Sequence, residues 1–240
     1  MSEAHLPRPG AVLGLYPERE DERLSKLDRT MAITSGWLRQ RLAPGQFSAP
    51  VFLGMARREG RKLNALSETE MMRHRDRLRL RLRSADHLTP RLIAQAFALI
   101  RKTAETKLKM RPYDVQLLGG LVMMRGRIAE MDTGEGKTLT ATLPAATAAL
   151  TGTPVHVITV NDFLAERDAQ WMGPIYRALG LSVGVILEGM DPEERRAAYA
   201  CDVVYGTNKQ IAFDYLKDRI ALGDETRPLH IRVQGLTASE

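Results

Sequence analysis

The chain of 240 residues has one cysteine, Cys201, and aromatic residues make up only 5% of it. A single cysteine excludes an intrachain disulfide and a metal cluster held by several thiolates. No uninterrupted apolar run approaches the roughly 20 residues that cross a bilayer, and the first residues lack the basic start and apolar core of a secretory signal peptide. We therefore expect a cytoplasmic location.

The overall composition is that of a folded protein with an excess of positive charge. Hydrophobic residues make up 44% and charged residues 27% of the chain, and the formal net charge is +6. Such a charge favours contact with nucleic acid, an anionic membrane surface or an acidic protein. The charge alone does not choose among these three classes of partner.

Residues 1–110 are interpreted as an N-terminal extension, partly helical or flexible, followed by a helical segment. Residues 1–60 form an extension, with a proline- and glycine-rich arm at 1–20, helical spacing of leucines at 21–42 and a linker at 43–50. Residues 61–110 form a helical segment, in which a capping box at Ser67 and Glu70 begins one helix and Thr89 with Pro90 begins the next. The first of these helices carries a run of alternating arginines, interpreted as a solvated face or a partner surface: Arg73, Arg75, Arg77, Arg79, Arg81 and Arg83.

Beyond Pro112 the pattern changes to alternating strands and helices. Short runs rich in valine and isoleucine predict buried strands at 127–131, 154–160, 181–187 and 202–205. Helical stretches follow them at about 138–150, 162–179, 191–200 and 208–220, where Pro144 and Pro174 are expected to kink or break their helices. Strands separated by helices predict an α/β lobe with a parallel sheet at 111–220, followed by a divergent tail at 221–240.

A glycine loop between the first predicted strand and its helix is the strongest chemical signal. Its sequence is Glu-Met-Asp-Thr-Gly-Glu-Gly-Lys-Thr, residues 130–138. Backbone N–H groups, the helix N-terminus and Lys137 suit a polyphosphate, and the hydroxyl of Thr138 suits Mg²⁺. Met131 stands where the usual pattern has its first glycine, so a chance glycine turn is the minor alternative. The loop predicts a nucleoside triphosphate site.

Polar segments flank this loop in the sequence. Upstream, the amide of Gln116 offers the donor and acceptor that reading an adenine edge requires, although most glutamines are ordinary helix residues. Downstream, 159–168 and 205–218 each run from a predicted strand end into a helix. In the first of these segments, Asn161 or Asp162 can cap the helix. Polar residues at neighbouring strand ends are expected to line one crevice.

Together, residues 111–120, 128–142, 155–168 and 205–218 resemble the first motor lobe of the SecA family of protein-translocating ATPases. The resemblance implies a RecA-like P-loop NTPase lobe that binds ATP and Mg²⁺. It implies Lys137 and Thr138 as catalytic residues and Thr138 as the magnesium ligand, with Gln116 reading adenine. The implied cofactor-binding residues are Met110, Arg111, Gln116, Thr133, Gly134, Glu135, Gly136, Lys137 and Thr138.

The resemblance also implies partners and a location. The implied partners are preproteins and a SecYEG-type translocon, with a second copy of the chain as a further partner and nucleic acid less favoured. The implied location is in peripheral contact with the anionic inner face of the cell membrane. ATP hydrolysis needs an acidic pair that follows an apolar strand. Asp224 and Glu225 form an acidic pair, but they follow Gly223 and not a predicted strand. We therefore expect the incomplete lobe to hydrolyse ATP poorly. A helicase-type lobe and a non-catalytic nucleotide-binding module are the alternatives.

Overall fold

The computed structural model describes residues 48–222, which belong to one unit, Phe47–Glu240. The arm and helix expected before residue 43, the acidic pair Asp224 and Glu225, and nearly all of the predicted tail lie outside the described residues. In chain order the elements are α1 (Ala49–Asn64), α2 (Glu68–Arg83), α3 (Pro90–Leu108), α4 (Asp114–Met124), α5 (Lys137–Leu150), β1 (Val155–Thr159), α6 (Asp162–Ala178), β2 (Val183–Val185), α7 (Pro192–Tyr199), β3 (Val203–Thr207) and α8 (Asn208–Leu222).

The two helix starts expected from local sequence signals are confirmed. At α2 the Ser67 hydroxyl accepts a hydrogen bond from the Glu70 N–H, and the Glu70 carboxylate accepts one from the Ser67 N–H at 2.8 Å. At α3 the Thr89 hydroxyl accepts from the Leu92 N–H at 3.3 Å. These bonds satisfy N–H groups that the first helical turn leaves without a partner.

Helix α1 crosses the boundary expected at residue 60, and it begins inside the expected linker at 43–50. Its buried side chains are Phe52, Ala56 and Leu63. The Phe52 ring meets the Phe97 ring of α3 edge to face, with ring centroids 5.8 Å apart, a favoured aromatic arrangement. Residues 49–64 therefore pack as part of the helical region that follows them.

The arginine-rich helix α2 has two differently used faces. Arg75 and Arg79 each donate a guanidinium hydrogen bond, at 3.2 Å, to the carbonyls of Ala178 and Gly180 at the end of α6. Cations are stabilised at a helix C-terminus, where carbonyl groups lack helical partners. Arg73, Arg77 and Arg81 are exposed. Two arginines of the run therefore join the helical region to the α/β region.

The sheet is parallel, which confirms the predicted α/β class. Its strand order is β1–β3–β2, so β3 lies in the centre and pairs with both neighbours. Val203 lies opposite Val155 in β1 and Val183 in β2. All five residues of β3 are buried. The Tyr205 hydroxyl lies 3.1 Å from the Tyr176 hydroxyl of α6, which ties the sheet to that helix.

The predicted strand at 127–131 is wrong, because these residues pair with no strand among those that the structure describes. Ile128 in this segment is 95% exposed. An apolar run needs a paired neighbour to form a strand, and its hydrophobic pattern does not show whether such a neighbour exists. The segment instead continues as an irregular lead into the glycine loop.

Neither internal proline ends its helix, so the expected breaks do not occur. Pro144 lies within α5 and Pro174 within α6, and both helices continue beyond them. Proline removes one backbone hydrogen bond. In each helix the neighbouring residues are buried, including Leu143, Ala145 and Ile175, and this packing holds the helix together around the missing bond.

Helix α3 forms the middle of the core and is buried over residues 93–100. Phe97 and Leu99 are at most 1% exposed. Phe97 also lies directly against Gly120 of α4, where there is no room for an added Cβ without a shift. Despite this apolar stretch, none of the helices within residues 48–222 is long and apolar enough to cross a membrane.

Gly184 in β2 provides a test of the packing between the sheet and α7. A Cβ at this position would lie 2.5 Å from the Ala198 carbonyl oxygen, which belongs to backbone and cannot rotate away. We expect Gly184→Ala to lower the free energy of unfolding by about 1–3 kcal/mol, measured by urea denaturation. Gly54→Ala is the control, because Gly54 lies on the exposed side of α1 and no described atom lies within 4 Å of the added Cβ. We expect it to raise stability by about 0.5–1 kcal/mol; equal stability of the two variants would contradict the packing.

Candidate functional site

The glycine loop leads directly into the N-terminus of α5. Gly136 precedes the helix with φ 81° and ψ 43°, in the left-handed region that residues with a Cβ rarely adopt. No side chain from residues 48–222 caps the helix at this position. The first N–H groups of a helix have no helical acceptors, and the helix dipole favours negative charge there. The end of the loop is therefore open to an anion.

The loop is held by hydrogen bonds among its own residues. The Glu135 carboxylate accepts from the Asp132 N–H at 2.9 Å, and the Asp132 carbonyl accepts from the Glu135 N–H at 3.3 Å. The Lys137 ammonium donates to the same Asp132 carbonyl at 2.8 Å. Both Glu135 and Lys137 are exposed. The lysine is thus folded back on the loop by a bond that a phosphate oxygen can replace.

Gln116 connects the loop to α4. Its side chain is 5% exposed; Oε1 accepts from the Tyr113 N–H at 2.8 Å, and Nε2 donates to the Glu135 carbonyl at 2.7 Å. A Cβ on Gly136 would collide with this Nε2, so both the left-handed φ and the close approach require glycine. One amide hydrogen and one lone pair of Gln116 remain for another partner.

A cavity of about 490 Å³ opens beside Gln116 and the loop. Six of the expected cofactor-binding residues line it, namely Met110, Arg111, Gln116, Gly134, Glu135 and Gly136. Lys109, Tyr113, Val115 and Leu139 complete the lining. The expected residues Thr133, Lys137 and Thr138 do not line this cavity; they lie on the loop and on the first turn of α5.

Asp168 of α6 reaches the first turn of α5, a contact that the sequence does not predict. Its Oδ2 accepts from the Thr138 hydroxyl at 3.4 Å, while Oδ1 accepts from the Arg167 guanidinium at 3.0 and 2.7 Å. Asp168 is 8% exposed. A buried carboxylate beside the hydroxyl expected to bind magnesium is the kind of outer contact that orients a metal ligand.

Behind Asp168 lies the buried pair Tyr176 and Tyr205. Burial raises the pKa of the Tyr205 phenol, and the neighbouring Tyr176 and the charge of Asp168 raise it further. Burial likewise raises the pKa of Tyr176. Both phenols therefore keep their protons near neutral pH. This neutral, packed wall fixes α6 against β3 and with it the position of Asp168.

Most polar residues at the strand ends make structural contacts instead of facing the loop. Asn161 caps α6 by accepting from the Leu164 N–H at 2.8 Å, and Asp162 accepts from the Glu188 N–H at 2.6 Å. Asp214 accepts from Arg195 at 2.6 Å and from the Tyr199 hydroxyl at 2.8 Å. Of these expected crevice segments, Asp168 is the described member that hydrogen-bonds Thr138 in the first turn of α5.

The residues around the loop fit a magnesium–nucleotide complex better than a protein-held metal. No group of three or more histidine, cysteine, aspartate or glutamate residues is placed to hold a metal within residues 48–222. Mg²⁺ is commonly bound by one or two protein groups together with substrate phosphates. Thr138, oriented by Asp168, and the open end of α5 offer that combination.

The comparisons with known proteins agree on one family. Residues 51–235 match the family described as the SecA DEAD-like domain. The chain is 55% identical over 160 residues to the protein translocase subunit SecA of Caldicellulosiruptor saccharolyticus, covering 67% of this chain and 19% of that protein. It is 45% identical over 223 residues to protein translocase subunit SecA 2 of Bordetella avium, covering 92% of this chain and 34% of that protein.

Protein translocase subunit SecA 3 of Magnetococcus marinus is a third relative, 46% identical over 227 residues, with 92% of this chain and 34% of that protein covered. The chain thus spans between 19% and 34% of the length of these three relatives. The matched region includes the glycine loop, the Gln116 segment and α6 with Asp168. On this evidence the chain belongs to the SecA DEAD-like domain family.

Proposed function

We propose that this chain is the ATP-binding lobe of a SecA-type motor that couples ATP hydrolysis to protein translocation across the cytoplasmic membrane. The observation that carries the proposal is the left-handed Gly136, which leads the loop into the uncapped N-terminus of α5 beside Lys137. The cavity next to it contains Gln116 and five other expected cofactor-binding residues. A phosphate chain at the helix end and a base in the cavity would use both features together.

Each residue has a defined part in this proposal. The N–H groups of the first turn of α5 bind phosphate oxygens, and Lys137 exchanges its bond to the Asp132 carbonyl for a bond to a phosphate. Thr138 holds Mg²⁺, which neutralises phosphate charge when bound. Arg111 and Met110 border the cavity for the base, where Gln116 presents its remaining donor and acceptor.

We propose binding without efficient turnover for the chain as given. ATP hydrolysis by such motors requires a carboxylate that positions or activates the attacking water. Within residues 48–222, the carboxylate that contacts Thr138 is that of Asp168, and Arg167 already engages its other oxygen. Asp168 is therefore assigned to orienting Thr138 and not to activating water.

The partners and the location follow from the family and remain part of the proposal. The relatives are named protein translocase subunits, which favours preproteins and a SecYEG-type translocon as partners. The exposed Arg73, Arg77 and Arg81 offer a surface for peripheral contact with the anionic inner face of the membrane. A cytoplasmic protein in such contact, with a homo-oligomer as one form, is the arrangement that we propose.

The net charge of +6 favours a second candidate, a helicase-type lobe that acts on nucleic acid. That function predicts turnover stimulated by RNA and an RNA affinity that falls steeply with salt. The internal bonds of Arg75 and Arg79 reduce the charge available for such a surface. Titration of a single-stranded RNA at two salt concentrations separates the two candidate functions, because RNA binding that weakens steeply with salt is expected of the helicase-type lobe.

The first prediction concerns the phosphate contacts of Lys137. We expect Lys137→Ala to weaken binding of ATP with Mg²⁺ by roughly 10- to 100-fold, because charge-assisted hydrogen bonds contribute about 1.5–3 kcal/mol. The free energy of unfolding should stay within about 0.5 kcal/mol, because the side chain is exposed and makes one bond to the loop. Calorimetric titration of ATP, ADP and GTP measures the binding, and phosphate release is followed in parallel.

The control for this prediction is Lys62→Ala, which removes an exposed lysine paired with Glu59 on α1. Its nucleotide affinity should equal that of the unsubstituted chain. Unchanged ATP binding by Lys137→Ala would contradict the proposed site, and loss of cooperative unfolding would contradict the exposed position of Lys137.

The second prediction separates two roles of Gln116. We expect Gln116→Ala to abolish the preference for ATP over GTP, because the amide is the group placed to read the base. Tripolyphosphate, which has no base, should bind less tightly as well, because the variant also loses the bond to the Glu135 carbonyl. Calorimetry with the three ligands gives the ratios. An equal loss for all three would assign Gln116 to holding the loop alone.

The third prediction concerns Asp168 as a positioning residue. We expect Asp168→Ala to weaken the Mg²⁺-dependent part of ATP binding by about tenfold, the low end of the effect of outer contacts on metal affinity. Binding of ATP in excess chelator should change little, because Asp168 contacts the Thr138 hydroxyl and not the loop backbone. Glu166→Gln on the same helix is the control. Equal losses with and without Mg²⁺ would show that Asp168 only supports the fold.

A further inference from the structure

A second cavity lies away from the glycine loop, between α1 and α3. Its volume is about 230 Å³. Among residues 48–222, one carboxylate lines it, that of Glu105, and five cationic side chains line it: Arg57, Arg61, Arg101, Lys102 and Arg111. The other lining residues are small or neutral, with Ala56, Gly60 and Ala98 among them. The cavity is thus basic on most sides.

The cations of this cavity are only partly neutralised by neighbouring carboxylates. Asp114, in the first turn of α4, accepts from Arg57 Nε at 3.0 Å and from Arg101 Nη1 at 3.0 Å. The hydrogen bond from Arg57, with further help from Arg101, lowers the pKa of Asp114, which therefore stays ionised. Glu105 lies 3.8 Å from Arg111. In the described part of the chain, two carboxylates thus stand against five cations.

Arg101 shows the imbalance at the level of one atom. Its side chain is 16% exposed and pairs with Asp114 through Nη1. Its Nε is buried, with no hydrogen-bond partner in the part of the chain that the structure describes. A buried donor without an acceptor is costly, and within residues 48–222 Asp114 is the one hydrogen-bond acceptor of the Arg101 guanidinium. Arg61 and Lys102 add two further cations to the same cavity.

We propose that the cavity between α1 and α3 binds a small phosphate-type oxyanion. Guanidinium groups match the geometry of phosphate oxygens, and several donors from two helices can surround such an ion. The volume lies below the roughly 300–1,000 Å³ of pockets for drug-sized ligands, which favours a small ion or a single phosphate group. This cavity shares Arg111 with the loop cavity but none of its other described lining residues, so the two sites can be tested separately.

The site differs from the glycine loop in its binding groups. The loop offers backbone N–H groups and Lys137, whereas the cavity offers side-chain cations held on two packed helices. Arg111 lines both cavities and is therefore unsuitable for a test that must distinguish them. Arg61 and Lys102 line the α1–α3 cavity and not the loop cavity.

The fourth prediction uses inorganic phosphate in the Lys137→Ala variant, where the loop site is weakened. Calorimetry or NMR titration at low salt should still show phosphate binding. Adding Arg61→Gln and Lys102→Gln should weaken this binding at least about tenfold, because two charged donors are lost. The matched control adds Arg58→Gln and Arg91→Gln, which remove two exposed cations from the same helices outside the cavity. It should retain the affinity.

Three results would overturn the proposal. They are no phosphate binding in Lys137→Ala, equal weakening by the cavity and control substitutions, and unchanged binding after the cavity substitutions. Urea denaturation of each variant confirms that a loss of binding is not a loss of fold. Glycerol 3-phosphate, titrated in the same way, distinguishes the source of the anion: tighter binding than inorganic phosphate indicates a phosphate group on a larger molecule, and weaker binding indicates the free ion.

Discussion

The bond between Gln116 and the Glu135 carbonyl is the interaction on which the candidate site depends. It fixes the loop against α4 at a distance that only a glycine at 136 permits. The left-handed Gly136 then directs the chain into α5 with its N-terminus uncapped. A change at either residue would therefore move the helix end and the base cavity together. The two parts of the nucleotide site are coupled by one short contact.

The features that the sequence predicted well are those with local causes. The capping box of Ser67 and Glu70, the start at Thr89 and the helices after each strand depend on neighbouring residues. The parallel sheet follows from strands separated by helices. The strand expected at 127–131 failed because pairing depends on a distant partner, and Ile128 is exposed instead. Helix α1 has helix signals of its own, with Pro50 in its first turn and basic residues in its last, but Pro44, Gly45 and Pro50 also fit the linker that was expected at 43–50.

In the candidate site, the contiguous motif was predictable from the sequence, whereas the contacts between distant residues were not. Gly136, Lys137 and Thr138 form a contiguous motif, and the structure places the loop at the start of α5 as that motif predicts. The role of Asp168 was not visible, because residue 168 meets residue 138 only through the packing of α6 against α5. The sequence likewise did not predict the two hydrogen bonds that Gln116 makes with Tyr113 and Glu135. Sequence spacing identifies the groups, but tertiary packing decides which groups meet.

The distribution of positive charge also depends on tertiary packing, because packing decides which cations are paired and which remain exposed. Arginines that look equivalent along α2 divide into Arg75 and Arg79, which bond carbonyls at the end of α6, and others that face solvent. Around the α1–α3 cavity the opposite holds, because cations distant in sequence gather with few carboxylates. Electrostatic attraction depends on local unbalanced charge at short range, since salt screens the rest. Within residues 48–222, the α1–α3 cavity is therefore a second place, besides the exposed arginines of α2, where positive charge is concentrated.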